Sequence, residues 1–306
     1  MRLGPALLLL LAAACAAPPQ AGRPFDAVRD PREAVDLLRE LIRFDTTNPP
    51  PPGSGRLNAD ETALLRRVAE VLAQDGIDSR IYESAPGRGN LVARLRGTGA
   101  KKPVLLMAHV DVVGVERSRW TADPFAAEVR DGFIWGRGAL DDKDDAAVFV
   151  QALRILKRTR TPLERDVILM LNADEESSGT FGAEWMVKNH WDRIDCEFVL
   201  SEGGNASWRD GKTAMYGFQT AEKIYNDFRL WVRGESGHSS VPVPRNAIYG
   251  AARMLQKLES FKCPLRLIDT TKAAFRDLAG APGVSWGREF MRRAAEGVDD
   301  AAAKLA

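Results

Sequence analysis

One stretch of the sequence places two reactive side chains at the end of an apolar run. In LLMAHVDVVG, residues 105–114, the residues as far as Ala108 are apolar, and His109 and Asp111 follow with one valine between them. Residues two apart on a β-strand lie on the same face. Asp111 can therefore accept the second ring N–H of His109 and fix the tautomer of the imidazole.

Three further segments bring carboxylates to similar positions. Two of them end apolar strands, and the third is a loop, GRGALDDKDD, that runs directly into a helix. Their members are Asp174, Glu175 and Glu176 after one strand, Ser201 and Glu202 after another, and Asp141 and Asp142 in the loop.

Carboxylates that share one place raise each other's pKa, and a divalent cation removes that cost. A mixture of imidazole and carboxylate suits zinc, and the excess of carboxylates suits two metal ions with a bridging group. Taken singly, DEE is typical of a solvated turn and DDKDD of a helix N-terminus. Their joint position after consecutive strands favours a metal site, in which Glu175 and Glu176 can act as base and ligand.

The elements that must position these residues alternate along the chain. Apolar strands and amphipathic helices in this order predict an α/β fold, with a mixed, mostly parallel sheet covered by helices on both faces. Ligands of such sheets bind beyond the carboxyl ends of the strands. The predicted helices cover 30–44, 60–74, 144–159 and 181–189, and the main strands cover 76–84, 90–97, 103–110, 165–176 and 196–204.

The texture of the sequence changes after about residue 220. A half-exposed strand over 223–234 and a helix over 244–260 indicate a second, smaller α+β domain. We therefore predict a catalytic metal-binding domain over 28–219 and a second domain over 220–306.

Composition and the N-terminal segment restrict the partners and the location. The 306 residues carry a net charge of +1, so no basic surface is available for nucleic acid. A basic start, a short apolar run and two prolines within residues 1–20 predict a signal peptide and no transmembrane helix. The protein is then exported to the periplasm or secreted, with either ordinary cleavage or lipid attachment at Cys15.

Five motifs resemble those of the zinc aminoacylase and carboxypeptidase S group, which also includes carboxypeptidase G, the Xaa-His dipeptidases and the desuccinylases. They follow the order of that family between about Asp30 and Ser260, and they are HVDVV, GRGALDDKD, ADEESSGTFGAEWM, SEGG and GHSSVP. The resemblance implies a di-zinc exopeptidase-like catalytic domain. It also implies that the smaller domain is an insert, which serves as a lid and joins two subunits into a homodimer.

The resemblance assigns roles to seven residues. The implied metal ligands are His109, Asp141, Glu176 and Glu202, with Asp141 as the bridge between two zinc ions. The implied catalytic residues are Glu175 as general base, Asp111 as the residue that orients the histidine, and His238 as a second-domain group that polarises the substrate carbonyl, in dimeric members from the neighbouring subunit. Cobalt or manganese are alternatives to zinc, because mixed nitrogen and oxygen sites accept several metals.

The implied reaction is hydrolysis of an amide or peptide bond in small N-acyl amino acids or peptides. Two zinc ions hold a water and lower its pKa towards about 7. Glu175 takes the proton and passes it to the leaving amine, and His238 helps a zinc ion to stabilise the oxyanion.

The family has one more metal-binding histidine, late in its catalytic domain. This chain has three histidines, and His190, in a helical segment, matches no ligand of the family. We expect that the chain stops inside the inserted domain and that the remaining ligand lies beyond Ala306. The 306-residue chain should then be inactive, whereas its full-length parent is an enzyme.

Two other functions remain open from the sequence. The first is an aminopeptidase or dipeptidase that acts on exported peptides with the same chemistry. The second is a noncatalytic metal- or peptide-binding module. The presence of Glu175 favours an enzyme, because a binding module has no use for a base at that position.

Overall fold

The computed structural model describes residue 30 and residues 32–49, 59–209, 212–219, 221–222, 228–238, 240–262, 264, 266–281 and 287–297. The predicted signal peptide with Cys15 lies outside the described residues. The chain divides into two compact units, residues 1–202 and 203–306. The first unit contains most of the predicted catalytic domain, whose boundary at residue 219 stays a prediction.

The first unit consists of alternating helices and strands. Its helices are α1 (Arg32–Ile42), α2 (Glu61–Gln74), α3 (Lys143–Arg158) and α4 (Ala183–Ile194). Its strands are β1 (Ser79–Ala85), β2 (Arg88–Leu95), β3 (Val104–His109), β4 (Glu128–Arg130), β5 (Phe133–Trp135), β6 (Val167–Asn172) and β7 (Phe198–Leu200).

Five of these strands form one mixed sheet, in the order β1-β2-β6-β3-β7. The pairs β1/β2 and β2/β6 are antiparallel, and the pairs β3/β6 and β3/β7 are parallel. In the central parallel pair, His109 lies opposite Asn172. The carboxyl ends of β3, β6 and β7 therefore meet at one edge of the sheet, as the sequence predicts, and the loops that follow them carry the reactive residues.

Helices cover both faces of this sheet, which explains why its central strands are apolar throughout. Leu169 and Leu171 of β6 belong to a core with α1, α2 and α3. The alternate residues Ile168 and Met170 belong to a second core with Met186 of α4. Neighbouring residues of a strand point to opposite faces, so a strand between two helical layers needs apolar side chains at every position.

Helix α2 has clear start and packing signals. The Asp60 side chain caps its N-terminus by accepting the Ala63 N–H at 3.2 Å. Its fully buried apolar residues recur at helical spacing and turn one face towards the sheet. They are Leu64, Leu65, Val68 and Leu72.

The second unit begins with a hairpin of β8 (Asn205–Arg209) and β9 (Lys212–Gly217). Three helices follow, namely α5 (Ala247–Glu259), α6 (Asp269–Gly280) and α7 (Arg288–Ala295), and α5 agrees with the predicted helix over 244–260. The predicted strand over 223–234 is wrong for residues 228–234, which form no strand, while 223–227 lie outside the described residues. Among the described helices of the chain, none has the length and apolar character needed to cross a membrane.

Candidate metal centre

His109 is the last residue of β3, and its imidazole is buried with only 2% of the residue exposed. Ring atom Nδ1 lies 3.0 Å from the backbone oxygen of Asp111 and 3.5 Å from the Asp111 carboxylate. The nearer partner is thus the carbonyl, although the sequence predicted the carboxylate. With Nδ1–H donated to Asp111, the Nε2 lone pair is available on the side of the acidic residues.

Carboxylates from three separate segments surround Nε2 of His109. Asp141 Oδ1 lies 3.0 Å from it, and carboxylate oxygens of Glu175 and Glu202 each lie 3.9 Å from it. Two groups of residues have ligand atoms within 4.8 Å of one another: His109 with Asp141 and Glu176, and His109 with Asp142 and Glu202. The structure therefore brings together all four predicted ligands of the first unit and adds Asp142.

The electrostatics of the cluster show the cost of this crowding. Burial raises the pKa of Glu176 and of Glu202, and neighbouring carboxylates, Asp141 among them, raise both further. Burial and Asp145 raise the pKa of Asp142 to about 8. Burial alone would lower the pKa of His109, but Asp111 and the other carboxylates around it raise that pKa to about 10. Without a cation, the cluster therefore retains protons in order to limit its negative charge.

Asp111 organises the backbone around the cluster and is itself fully buried. Its Oδ1 accepts the Glu175 N–H at 3.1 Å, and its Oδ2 accepts the Glu176 N–H at 3.2 Å. Burial raises the pKa of Asp111, but hydrogen bonds with His109 and Asn48 outweigh burial, so the net pKa is lowered and the carboxylate stays charged. Asp111 thus links the histidine to the two adjacent glutamates.

The donor set fits a divalent metal of the zinc type. One imidazole nitrogen and several carboxylate oxygens converge from strand ends and from the loop before α3, and such a mixture is typical of zinc. The Asp142 carboxylate also accepts the backbone N–H of His109 at 3.1 Å, so it fixes the loop against the end of β3. His109, Asp141, Glu176 and Glu202 are the residues that would hold metal.

The other two histidines belong to neither group of ligands found among the described residues. His190 belongs to α4, where its ring lies 4.4 Å from the ring of Tyr82 and 4.8 Å from that of Trp185. His238 belongs to the second unit, and its Nδ1 lies 2.8 Å from Ser240 Oγ. Within the described residues, His109 is the only histidine in either group of ligands. The catalytic part predicted for His238 stays a prediction.

Sequence reasoning placed Asp142 among the clustered carboxylates but did not predict it as a metal ligand. The motif LDDK gave two adjacent aspartates, and the family pattern selected the first of them. In the structure Asp141 is exposed, whereas only 2% of Asp142 is exposed and its carboxylate faces the histidine. The doubled aspartate was the only sequence signal for it, and residue type alone does not separate the two.

A family model described as "Peptidase family M20/M25/M40" matches residues 105–301. Four of the five motifs described above contribute residues to the cluster, and all four lie within the matched range. The match covers both units of the chain.

Two curated relatives and one solved structure are similar to the chain. A Xenopus tropicalis protein named N-fatty-acyl-amino acid synthase/hydrolase PM20D1 is 31% identical over 78% of this chain and 47% of its own length. A Cereibacter sphaeroides succinyl-diaminopimelate desuccinylase is 31% identical over 75% of this chain and 57% of its own. Human carnosine dipeptidase 1 matches with a TM-score of 0.47 and 21% identity over 56% of this chain and 38% of that one. The chain spans about half the length of the curated relatives it matches.

Proposed function

This chain belongs to the peptidase family M20/M25/M40, and from that premise we propose that it is part of a metal-dependent hydrolase of amide bonds in small N-acyl amino acids or peptides. One observation carries the proposal: His109, Asp141, Glu176 and Glu202 converge at the carboxyl ends of the strands, with the Glu175 carboxylate 3.9 Å from the His109 ring. A structural ion site would require no such base.

Each residue of the centre has a distinct task. His109, Asp141, Glu176 and Glu202 would hold the metal. Bound zinc supplies Lewis acidity, which activates water and polarises a carbonyl. Asp111 holds the imidazole of His109 in one tautomer.

Glu175 is the general base. Its side chain is half exposed, and its oxygen lies 3.9 Å from His109 Nε2, so it faces the place where substrate and water meet. Asp111 holds its backbone N–H. Glu175 accepts a proton from the attacking water and returns it to the leaving amine, while His238 donates to the developing oxyanion.

The names of the curated relatives support N-acyl amino acids as the first substrate class to test. One name contains a fatty acyl group on an amino acid, and the other contains a succinyl group on diaminopimelate. Peptides remain the alternative class, as in an aminopeptidase or dipeptidase. Export to the periplasm or outside the cell, and a homodimer through residues 220–306, belong to the same proposal and rest on the sequence alone.

Metal binding by the purified chain is the first test. Isothermal titration calorimetry should detect zinc binding to the wild type and a loss in His109→Gln larger than the about 10–100-fold that an outer partner costs. The matched control is His190→Gln, which removes an imidazole that stacks on Tyr82 and should leave zinc affinity unchanged. A wild-type chain that binds neither zinc, cobalt nor manganese contradicts the proposal.

Turnover separates an enzyme from a metal-binding module. N-acyl amino acids and dipeptides are offered to the zinc-loaded protein, and hydrolysis is measured. Glu175→Gln should abolish hydrolysis and bind zinc like the wild type. Glu197→Gln is the control, because Glu197 precedes β7 at the amino end of the strand, away from the cluster, and pairs with Arg165. Zinc binding by the wild-type protein without hydrolysis would favour the noncatalytic module.

A further inference from the structure

A buried set of polar residues is joined by hydrogen bonds to Asp111, next to the candidate metal centre. We propose that Asn48, Arg88 and Asp174 are positioning residues, which set the metal affinity of the centre by fixing Asp111 and the backbone of Glu175 and Glu176. The proposal rests on the metal site proposed above.

Asn48 is placed by the backbone before its side chain acts. Its N–H donates to the Val112 oxygen at 2.8 Å, and Val112 N–H donates to the Thr46 oxygen at 3.1 Å, so residues 46–48 pair with the extension of β3. The Thr46 hydroxyl adds a bond to the Val110 oxygen at 2.6 Å. These backbone bonds fix the position of the Asn48 side-chain amide beside the cluster. Only 5% of the residue is exposed.

The amide of Asn48 lies between two buried carboxylates. Its Nδ2 donates to Asp111 Oδ2 at 2.8 Å and to Asp174 Oδ1 at 2.9 Å. Two buried carboxylates repel one another unless donors lie between them. One amide group thus joins the residue that orients His109 to the residue that precedes Glu175.

Asp174 receives a further set of donors. The guanidinium of Arg88 bonds to its Oδ1, and the Ser178 hydroxyl and the Phe181 N–H bond to its Oδ2 at 2.7 and 3.1 Å. Arg88 is 2% exposed and also pairs with Glu61 at 2.8 Å. These bonds hold the turn of residues 174–182, and with it the start of the segment that carries the base and a ligand.

The network acts on the metal only through other groups. Asn48 donates to Asp111, whose carboxylate accepts the N–H groups of Glu175 and Glu176 and whose backbone oxygen lies 3.0 Å from the His109 ring. Arg88 acts one step further away, through Asp174. Loss of such outer partners typically weakens metal binding about 10–100-fold. The role differs from simple core stability, because it predicts a change in affinity at constant stoichiometry.

Zinc titration of four variants tests the proposal. Asn48→Ala and Arg88→Met should bind zinc about 10–100-fold more weakly than the wild type with unchanged stoichiometry. Asn48→Asp keeps the shape of the side chain but replaces the amide donor by a carboxylate between those of Asp111 and Asp174. It should therefore show the largest loss of zinc affinity. The matched control is Arg154→Met, because Arg154 is also buried, 7% exposed, and pairs with Asp75 and Glu33 at 2.6 and 2.9 Å. Its zinc affinity should equal that of the wild type.

Two further readouts separate positioning from general destabilisation. Thermal melting of the metal-free variants should show that Arg154→Met lowers the melting temperature as much as Arg88→Met does. The visible absorption spectrum of the cobalt-loaded protein should change in Asn48→Ala and Arg88→Met and should not change in Arg154→Met.

Each outcome of the titration decides the question. Wild-type affinity in Asn48→Ala overturns the proposal, and so does an equal loss of affinity in Arg154→Met. If Arg88→Met does not fold, Asn48→Ala and Asn48→Asp decide alone. A wild-type chain without metal affinity overturns the proposed function together with this inference, whereas a wild type that binds zinc like Asn48→Ala overturns only the inference.

Discussion

The guanidinium of Arg88 pairs with two buried carboxyl groups, those of Glu61 and Asp174. Asp174 receives hydrogen bonds from Asn48, Ser178 and the Phe181 amide as well as from Arg88. Glu61 is fully buried, and burial raises its pKa to about 8 against the opposing effect of Arg88. We therefore expect Glu61 to be protonated at neutral pH.

This protonation predicts a pH dependence of stability. Because the folded-state pKa of Glu61 lies above its unfolded value, the folded chain binds the extra proton between pH 4.5 and about 8. The contribution of Glu61 is complete below pH 4.5 and is lost as the pH rises through about 8, by about 1.4 kcal/mol for each pKa unit. The glutamine of Glu61→Gln mimics the protonated acid, so its free energy of unfolding should fall less over this range. Urea unfolding at several pH values measures it, and parallel curves for both proteins would contradict the assignment.

At the same scale, the sequence predicted the residues that follow strands and missed those that support them. His109, Glu176 and Glu202 were found because each ends an apolar run. Asn48 and Arg88 were not found, because they reach Asp111 and Asp174 across 63 and 86 positions of the chain. Contacts between residues so far apart in the chain leave no periodic pattern within a single segment.

Among the elements, the turn from β6 to α4 depends on one glycine. A Cβ added at Gly182 would lie 1.8 Å from the Ala173 oxygen, so only glycine lets α4 begin against the end of the strand. The turn encloses Asp174 and Glu175, and any shift of Gly182 also displaces the base.

We expect Gly182→Ala to lower the free energy of unfolding by about 3 kcal/mol or more, since the overlap involves backbone that has no room to move. Gly99→Ala is the control. Gly99 has a φ of +77° but no atom within 4 Å of its added Cβ, so the change should cost only about 1–2 kcal/mol of backbone strain. Chemical denaturation compares the two variants. Equal losses would show that the close approach to Ala173 is unimportant.

The elements of the first unit could be predicted from the sequence, and those of the second could be predicted only in part. Helices α1 to α4 carry apolar residues at helical spacing, and strands β3 and β6 are apolar almost throughout, because each contributes to a core. The mixed sheet was predicted, but the pairing of β2 between β1 and β6 was not, since an antiparallel neighbour leaves no mark on an already apolar strand. The alternation over 223–234 predicted a strand that residues 228–234 do not form, and their side chains Phe228 and Trp231 are largely exposed.

For the whole molecule, burial is distributed unevenly between the two units. The first unit contains both hydrophobic cores and the metal-ligand groups. In the described part of the second unit, the buried residues are Ala279, Met291, Ala294 and Ala295. Zinc should therefore stabilise the two units to different degrees.

Hydrogen exchange with and without zinc tests this difference. A ligand at 100 times its dissociation constant stabilises the state that binds it by about 2.7 kcal/mol. We expect slower amide exchange in residues 105–112, 141–146 and 174–182, and unchanged exchange in 247–259. Protection confined to the second unit would contradict the assignment of the metal centre to the first.

The register between β3 and β6 determines which face of the sheet the reactive side chains at the end of β3 occupy. From Val104 opposite Val167 to His109 opposite Asn172, each residue has one fixed neighbour. A single extra residue inserted between them would leave a hydrogen-bonded strand, yet every later side chain would turn to the other face. The imidazole would then point into a helical layer. In descendants of this gene, length changes inside β3 should thus be far rarer than substitutions among its aliphatic residues.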